Sequence, residues 1–141
     1  MAARRLHLEV VTPERRVVLE DVDEVVTIPG TLGAFGVLPG HTRFMTTLKP
    51  GPLLYRVGEA SHLLVVSWGY AEVDPRHVSI LAEAAERAEE IDVERARQAK
   101  QRAEERLARG GEGIDLARAR AALARAEARL AVAERFRSRG T

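Results

Sequence analysis

His7, His41, His62 and His77 are the only imidazoles in the chain, and no two of them stand at the helical spacing that sets a metal-binding pair on one face. His7, His62 and His77 fall on different predicted strands and His41 in a predicted turn, where a polar side chain faces outward by default. With no cysteine among 141 residues, thiolate nucleophiles, thiolate metal sites and disulfides are excluded. The sequence contains neither a Gly-x-x-x-x-Gly-Lys phosphate loop nor a Gly-x-Ser-x-Gly nucleophile elbow. Carboxylates in the C-terminal half sit one helical turn from arginines, as Glu105 does from Arg109, which is the pattern of a solvated helix face rather than of an acid–base pair. The expectation is therefore a binding protein, with no catalytic residue, no metal and no required cofactor.

Charge divides the chain. Residues 1–91 carry 9 Lys/Arg against 13 Asp/Glu, a net of −4, whereas residues 92–141 carry 13 against 8, a net of +5. A basic half of this kind suits an acidic surface, whether nucleic acid, lipid headgroups or an acidic protein segment. A nucleic-acid-binding hairpin on a β scaffold is the alternative function. Against it stand the single aromatic of that half, Phe136, its many acids, and the lack of a concentrated Lys/Arg face for phosphate tracking. The longest aliphatic run, Leu63-Leu64-Val65-Val66, is far short of a membrane span, and the start has no apolar stretch of signal-peptide length. No direct membrane insertion and an intracellular setting are expected.

The elements that position these side chains are legible from periodicity. Leu6, Leu8 and Val10 alternate with His7 and Glu9, the period-2 signature of a half-buried strand. Further runs lie at 16–20, 24–28, 35–38, 53–57, 62–68, 70–73 and 77–81, separated by Thr12-Pro13, Pro29-Gly30, Pro39-Gly40, Pro50-Gly51-Pro52, Gly58 and Asp74-Pro75. Many short strands at this spacing predict an antiparallel β-sandwich or flattened barrel over residues 1–83. A polar connector, 84–91, leads to an antiparallel two-helix hairpin over 92–135, with a basic tail at 136–141. The fold class is α+β, segregated along the chain.

Both helix starts are specified by a short repeat, Ile91-Asp92-Val93-Glu94-Arg95-Ala96 and Ile114-Asp115-Leu116-Ala117-Arg118-Ala119. In each, Asp can cap the helix and the preceding Ile can staple onto the Ala four positions after the cap. The predicted helices, 92–108 and 115–135, are joined by a Gly-rich loop and meet along Val93, Ala96, Ala103 and Leu107 against Leu116, Ala119, Leu123, Ala126, Leu130 and Ala133. Buried leucine contributes roughly 1.5–3 kcal/mol and an alanine methyl about 0.8 kcal/mol, so a seam this rich in alanine is marginal by itself. Such a hairpin suits a switch.

The stretch Gly33-Ala34-Phe35-Gly36-Val37-Leu38-Pro39-Gly40-His41 resembles the Gly-x-Leu/Phe-Gly-Ile/Val-Leu-Pro-x-His signature of the epsilon subunit of bacterial F-type ATP synthases. The likeness continues in Val10-Val11-Thr12-Pro13, Ser67-Trp68-Gly69-Tyr70-Ala71-Glu72-Val73, Val78-Ser79-Ile80-Leu81-Ala82 and Ala85-Glu86-Arg87-Ala88, and in Ile91-Asp92-x-x-Arg95-Ala96. It spans about residues 5–135, with Trp68 standing where the family usually has glycine.

The resemblance implies a non-catalytic central-stalk subunit. Its β-sandwich would sit on the gamma subunit and the c-ring, and its basic hairpin would meet beta and alpha subunits to restrain ATP hydrolysis. It implies a peripheral place at the cytoplasmic face of the bacterial plasma membrane, no nucleic acid, and a monomer when isolated. In some members ATP binds as a regulatory ligand; the matching positions here are Glu86, Ile91, Asp92, Arg95, Ala96, Arg102, Arg125 and Arg129. The plain reading of the same residues is that Asp92 caps, Ile91 staples and the arginines solvate the hairpin.

Overall fold

The alternation at the start of the sequence is realised as β1 (Leu6–Val11), whose Leu6, Leu8 and Val10 are fully buried while His7, Glu9 and Val11 remain half-buried. The computed structural model describes residues 4–110 and 115–139. Seven further strands follow among them: β2 (Arg16–Val22), β3 (Glu24–Gly30), β4 (Gly33–Val37), β5 (Phe44–Leu48), β6 (Gly51–Val57), β7 (Ala60–Val73) and β8 (His77–Arg87). They pair in the order β2-β1-β8-β7-β5-β3-β4, with β6 bridging β3 and β7. The pairs are antiparallel apart from β1 and β8, which run parallel.

Strand β7 shapes the unit. Its first half pairs with β6, from Val57↔Ala60 to Gly51↔Val66, and its second half with β5, from Leu48↔Gly69 to Phe44↔Val73. The change of partner falls at Trp68, which adopts φ +53°, followed by Gly69 at φ +116°. A Cβ on Gly69 would lie 2.0 Å from the Leu81 carbonyl oxygen, so only glycine allows β8 to approach there. Trp68 occupies a conformation that glycine takes freely and that costs other residues roughly 1–2 kcal/mol. Its indole N–H is buried without an acceptor among the described residues.

The interior is built from the inward members of these strands, among them Leu6, Leu8, Val10, Ile28, Leu48, Leu53, Tyr55, Leu64 and Ile80. Tyr55 is wholly buried, its ring stacks on His62 at 4.9 Å, and its hydroxyl accepts from Arg87 Nη1 at 3.2 Å. Burial pushes the Tyr55 hydroxyl up to about 12.

The chain divides into two compact units at Arg87/Ala88. The second opens with a short 3-10 turn, Ala88–Glu90, and contains α1 (Val93–Arg109) and α2 (Leu116–Arg139). Asp92 is the N-cap of α1, its Oδ1 accepting the Arg95 N–H at 3.1 Å; Asp115 Oδ1 accepts the Arg118 N–H at 3.0 Å in the same way. Ile91 is buried, as a staple requires, while its counterpart Ile114 and the glycines of the loop lie outside the described residues. Helix α1 stops at Gly110, φ +56°, whose N–H donates to the Arg106 carbonyl. Ala96, Ala103, Ala119, Ala126 and Ala133 form the buried seam, whereas Val93, Leu107, Leu123 and Leu130 are half-buried and Leu116 is exposed.

Four elements differ from the sequence expectation. Strand β5 was not expected; its exposed Phe44 and Met45 beside a buried Thr46 invert the usual pattern. The two runs at 62–68 and 70–73 are one strand, continuous through the bend at Trp68. Strand β8 continues to Arg87, so the first half of the expected connector is sheet: Ala84–Arg87 pairs with Leu64–Ser67, and pairing overrides the helical preference of Ala and Glu. Helix α2 runs to Arg139, so the expected tail begins as helix.

Candidate functional site

The outward face of the β1, β8, β7 and β5 ladder carries two neighbouring rows of side chains. Val11, Leu81, Tyr70 and Thr47 stand opposite one another in register, and beside them run Leu19, Glu9, Ser79, Glu72 and Met45. Leu19, Met45, Tyr70 and Leu81 are 48%, 64%, 44% and 37% exposed. Leu81 and Tyr70 adjoin, while Leu19 and Met45 stand at the two ends of a row that is polar between them; exposed apolar side chains on one outward face are a mark of contact with another protein. A second apolar feature lies around the β3–β4 turn, where Leu32 is 93% exposed and Phe35 and Phe44 meet edge to face at 5.3 Å beside a cleft of about 330 Å³. Sequence reading passed over these residues because single apolar positions on an outward face carry no pattern until strand register aligns them.

In the hairpin unit, Asp92, Arg95 and Ala96 lie in the first turn of α1. Asp92 is occupied with the helix end, Arg95 is exposed, and Ala96 is fully buried in the seam. Arg102 is exposed two turns beyond Arg95 on the same helix. Arg125 and Arg129, half-buried, stand one turn apart on α2. Glu86 is half-buried on β8 opposite Val65, in the first unit. The structure thus places seven of the eight candidate residues in the hairpin and one in the sandwich. Each helix carries two arginines of the candidate set, and guanidinium forks match phosphate oxygens. Among the described residues no three His, Asp or Glu side chains converge as metal ligands.

These features define a class: a two-unit binding protein, with a rigid sandwich bearing exposed apolar rows and a basic, alanine-seamed helical arm. Comparison with known proteins gives the particular family. Residues 5–88 match the ATP synthase delta/epsilon chain beta-sandwich domain, and residues 89–134 match the ATP synthase delta/epsilon chain long alpha-helix domain. The ATP synthase epsilon chain of Desulfosudis oleivorans is 54% identical over 109 residues, which is 77% of this chain and 81% of that protein. That of Nitratidesulfovibrio vulgaris is 53% identical over 105 residues, 74% of this chain and 78% of its own length.

Among solved structures, a chain of the Euglena gracilis mitochondrial ATP synthase (OSCP, F1 and c-ring) superposes with a TM-score of 0.68 at 26% identity, over all of this chain and 84% of that one. A chain of the Tetrahymena thermophila central stalk and c-ring shares the fold, with a TM-score of 0.54 at 15% identity over the whole of both. The chain belongs to the ATP synthase delta/epsilon chain family.

Proposed function

We propose that the sandwich fixes this chain to the rotor of an F-type ATP synthase and that the hairpin is a regulatory arm that restrains ATP hydrolysis. As a family member the chain is a non-catalytic epsilon subunit of the central stalk, and ATP synthesis and proton transport belong to the complex it serves. The observation that carries the proposal is the unequal build of the two units. Exposed apolar rows at Leu19, Met45, Tyr70 and Leu81 give the sandwich a docking face for gamma, and the turn at Leu32 offers an apolar contact for the c-ring. The hairpin presents charge instead, +5 over residues 92–141, which suits an acidic surface on beta or alpha subunits. An alanine seam lets it change partners at low cost.

The protein sits peripherally at the cytoplasmic face of the bacterial plasma membrane; no helix among the described residues is long and apolar enough to cross one. No cofactor is required. ATP acts as a regulatory ligand of the hairpin through Arg95, Arg102, Arg125 and Arg129.

Truncation after Glu90 tests the division of labour. All eight strands end by Arg87, so the sandwich keeps its core. The truncated chain is expected to join gamma and the c-ring normally and to leave the ATPase rate of the reconstituted catalytic head unrestrained. The full chain is expected to inhibit, less so at high salt. Equal inhibition by both forms would place regulation in the sandwich.

A further inference from the structure

Where β1 and β8 begin, the sandwich gathers positive charge in excess. Arg4 and Arg5, just ahead of and at the start of β1, and Arg76, in the turn between β7 and β8, line one cleft of about 560 Å³. Asp21 is the single carboxylate of that lining, and its Oδ1 lies 3.0 Å from His7 Nδ1. Arg5 pairs with Asp23 at 3.4 Å. Arg4 and Arg76 are exposed, and among the described residues neither pairs with a carboxylate. Two guanidiniums without a partner thus share a cleft with a third.

The backbone beneath these arginines is fixed from several sides. His7 N–H donates to the Arg76 carbonyl at 2.7 Å, which joins the start of β1 to the turn. Gly40 N–H donates to the Pro75 carbonyl at 2.8 Å, which ties the same turn to the β4–β5 loop. Asp74 Oδ1 accepts the backbone N–H groups of Arg76 and His77 at 2.8 Å each and lies 3.1 Å from His77 Nδ1. The Arg76 N–H holds the Asp74 carboxyl below the usual carboxylate range, so its charge is engaged within the turn. Like charges held together this way repel, and an anion between them relieves the repulsion.

We propose that this cleft is a site for a phosphate group, held by Arg4 and Arg76 with Arg5 beside them. A guanidinium presents a planar fork of donors that matches two phosphate oxygens, so one tetrahedral dianion can engage more than one arginine at once. A carboxylate has only two oxygens and a single charge to offer. The three arginines line one cleft rather than a groove, which suits a compact multivalent anion better than an extended acidic segment. The cleft is larger than a bare phosphate, so a phosphate carried on a bigger body, such as a lipid headgroup, enters it as free phosphate does. The site lies wholly in the first unit and is independent of the hairpin arginines.

The test is NMR titration of the full-length chain with sodium phosphate near neutral pH, the ionic strength held constant with chloride. Saturable binding with a dissociation constant of about 1 mM is expected to move the Arg76 and His77 amide signals and the Arg4 and Arg76 side-chain signals. Metal-free phosphate is the probe because Mg2+ on a nucleotide already covers oxygens that the arginines would take. Affinity should fall by about threefold in Arg4→Gln and in Arg76→Gln, be lost in the double variant, and stay unchanged in Arg16→Gln. Glutamine keeps a polar, exposed side chain at each position, so the variants remain folded. Vesicles of phosphatidylcholine with phosphatidylglycerol separate the two sources. Co-sedimentation that the double variant abolishes makes the phosphate a lipid's, and phosphate shifts without co-sedimentation make it a free one. No saturable shift at tens of millimolar phosphate, a shift indifferent to both arginine substitutions, or hexaglutamate displacing phosphate at lower concentration would each overturn the proposal.

Discussion

The sandwich and the hairpin are held together by different physics. The sandwich buries Leu6, Leu8, Val10, Ile28, Leu53, Tyr55, Leu64 and Ile80 completely, whereas the described helices of the hairpin bury the alanines Ala96, Ala103, Ala119, Ala126 and Ala133 with one larger side chain, Val132, and their leucines keep contact with solvent. A buried Leu or Ile contributes roughly 1.5–3 kcal/mol and an alanine methyl about 0.8 kcal/mol. Helix propensity and two aspartate caps, not a core, specify the hairpin. An anchor must hold its shape under load, and a regulatory arm must exchange one surface for another. The two units differ in the direction those roles demand.

The comparison breaks most sharply at the corner of the sandwich. Gly69→Ala brings a Cβ to 2.0 Å from the Leu81 carbonyl oxygen at a φ of +116°, and the obstacle is backbone, so no side chain can yield. The expected loss exceeds about 4 kcal/mol, at the exceptional end for a single substitution. Chemical denaturation should show the sandwich transition moved to much lower denaturant. A loss below about 1 kcal/mol would mean that β7 and β8 slide past one another freely and that the corner is soft.

A matched pair of leucines sharpens the contrast. Leu8→Ala removes a wholly buried side chain from β1 and is expected to cost about 2–5 kcal/mol. Leu123→Ala removes a half-buried one from α2, and about 1 kcal/mol is expected because solvent already reaches the site. Hydrogen exchange separates them: Leu8→Ala should raise exchange throughout Leu6–Val11 and its partners, and Leu123→Ala only within residues 93–139. Equal loss of protection in β1 from Leu123→Ala would make the two units one cooperative body.

The sequence announced most of this because local rules and tertiary structure agree over most of the chain. Period-2 alternation gave β1, and the Asp-led repeat gave both helix starts. Misreadings cluster where long-range pairing outweighs local preference. Ala84–Arg87 reads as a polar connector and is strand because Leu64–Ser67 offers it a partner. Strand β5 went unread because Phe44 and Met45 face outward while Thr46 is buried, so its pattern does not alternate in the usual sense. Trp68 gave no sign of a left-handed bend, since only glycine signals that conformation locally. Of the candidate ATP residues, those in the hairpin were placeable from helix period, but Glu86 fell on an extension of β8 that the sequence did not show. His7 and His77 read as unrelated because nothing local foretells the parallel register of β1 with β8.

The smallest expected effect tests how far the hairpin's two helix starts are equivalent. Asp92 and Asp115 cap their helices in the same way, each accepting a backbone N–H three residues on, at 3.1 and 3.0 Å. Removing either cap should cost about 1 kcal/mol of helix stability, read as a similar loss of helical circular dichroism in Asp92→Ala and Asp115→Ala. Each is followed three residues on by an arginine, Arg95 or Arg118, so the two ends differ only in which arginines stand farther along the helices. Only Asp92 belongs to the set with Arg95, Arg102, Arg125 and Arg129, so only that end should respond to a polyphosphate. Calorimetry with MgATP is expected to give a weak, saturable signal that Arg95→Ala removes, Asp92→Ala reduces and Asp115→Ala leaves alone. Several guanidiniums act on one phosphate chain, so loss of one weakens binding more than loss of a cap that serves the backbone. A signal untouched by Arg95→Ala would remove the arginine set as the ATP site, and Asp92 would then be a helix cap and nothing more.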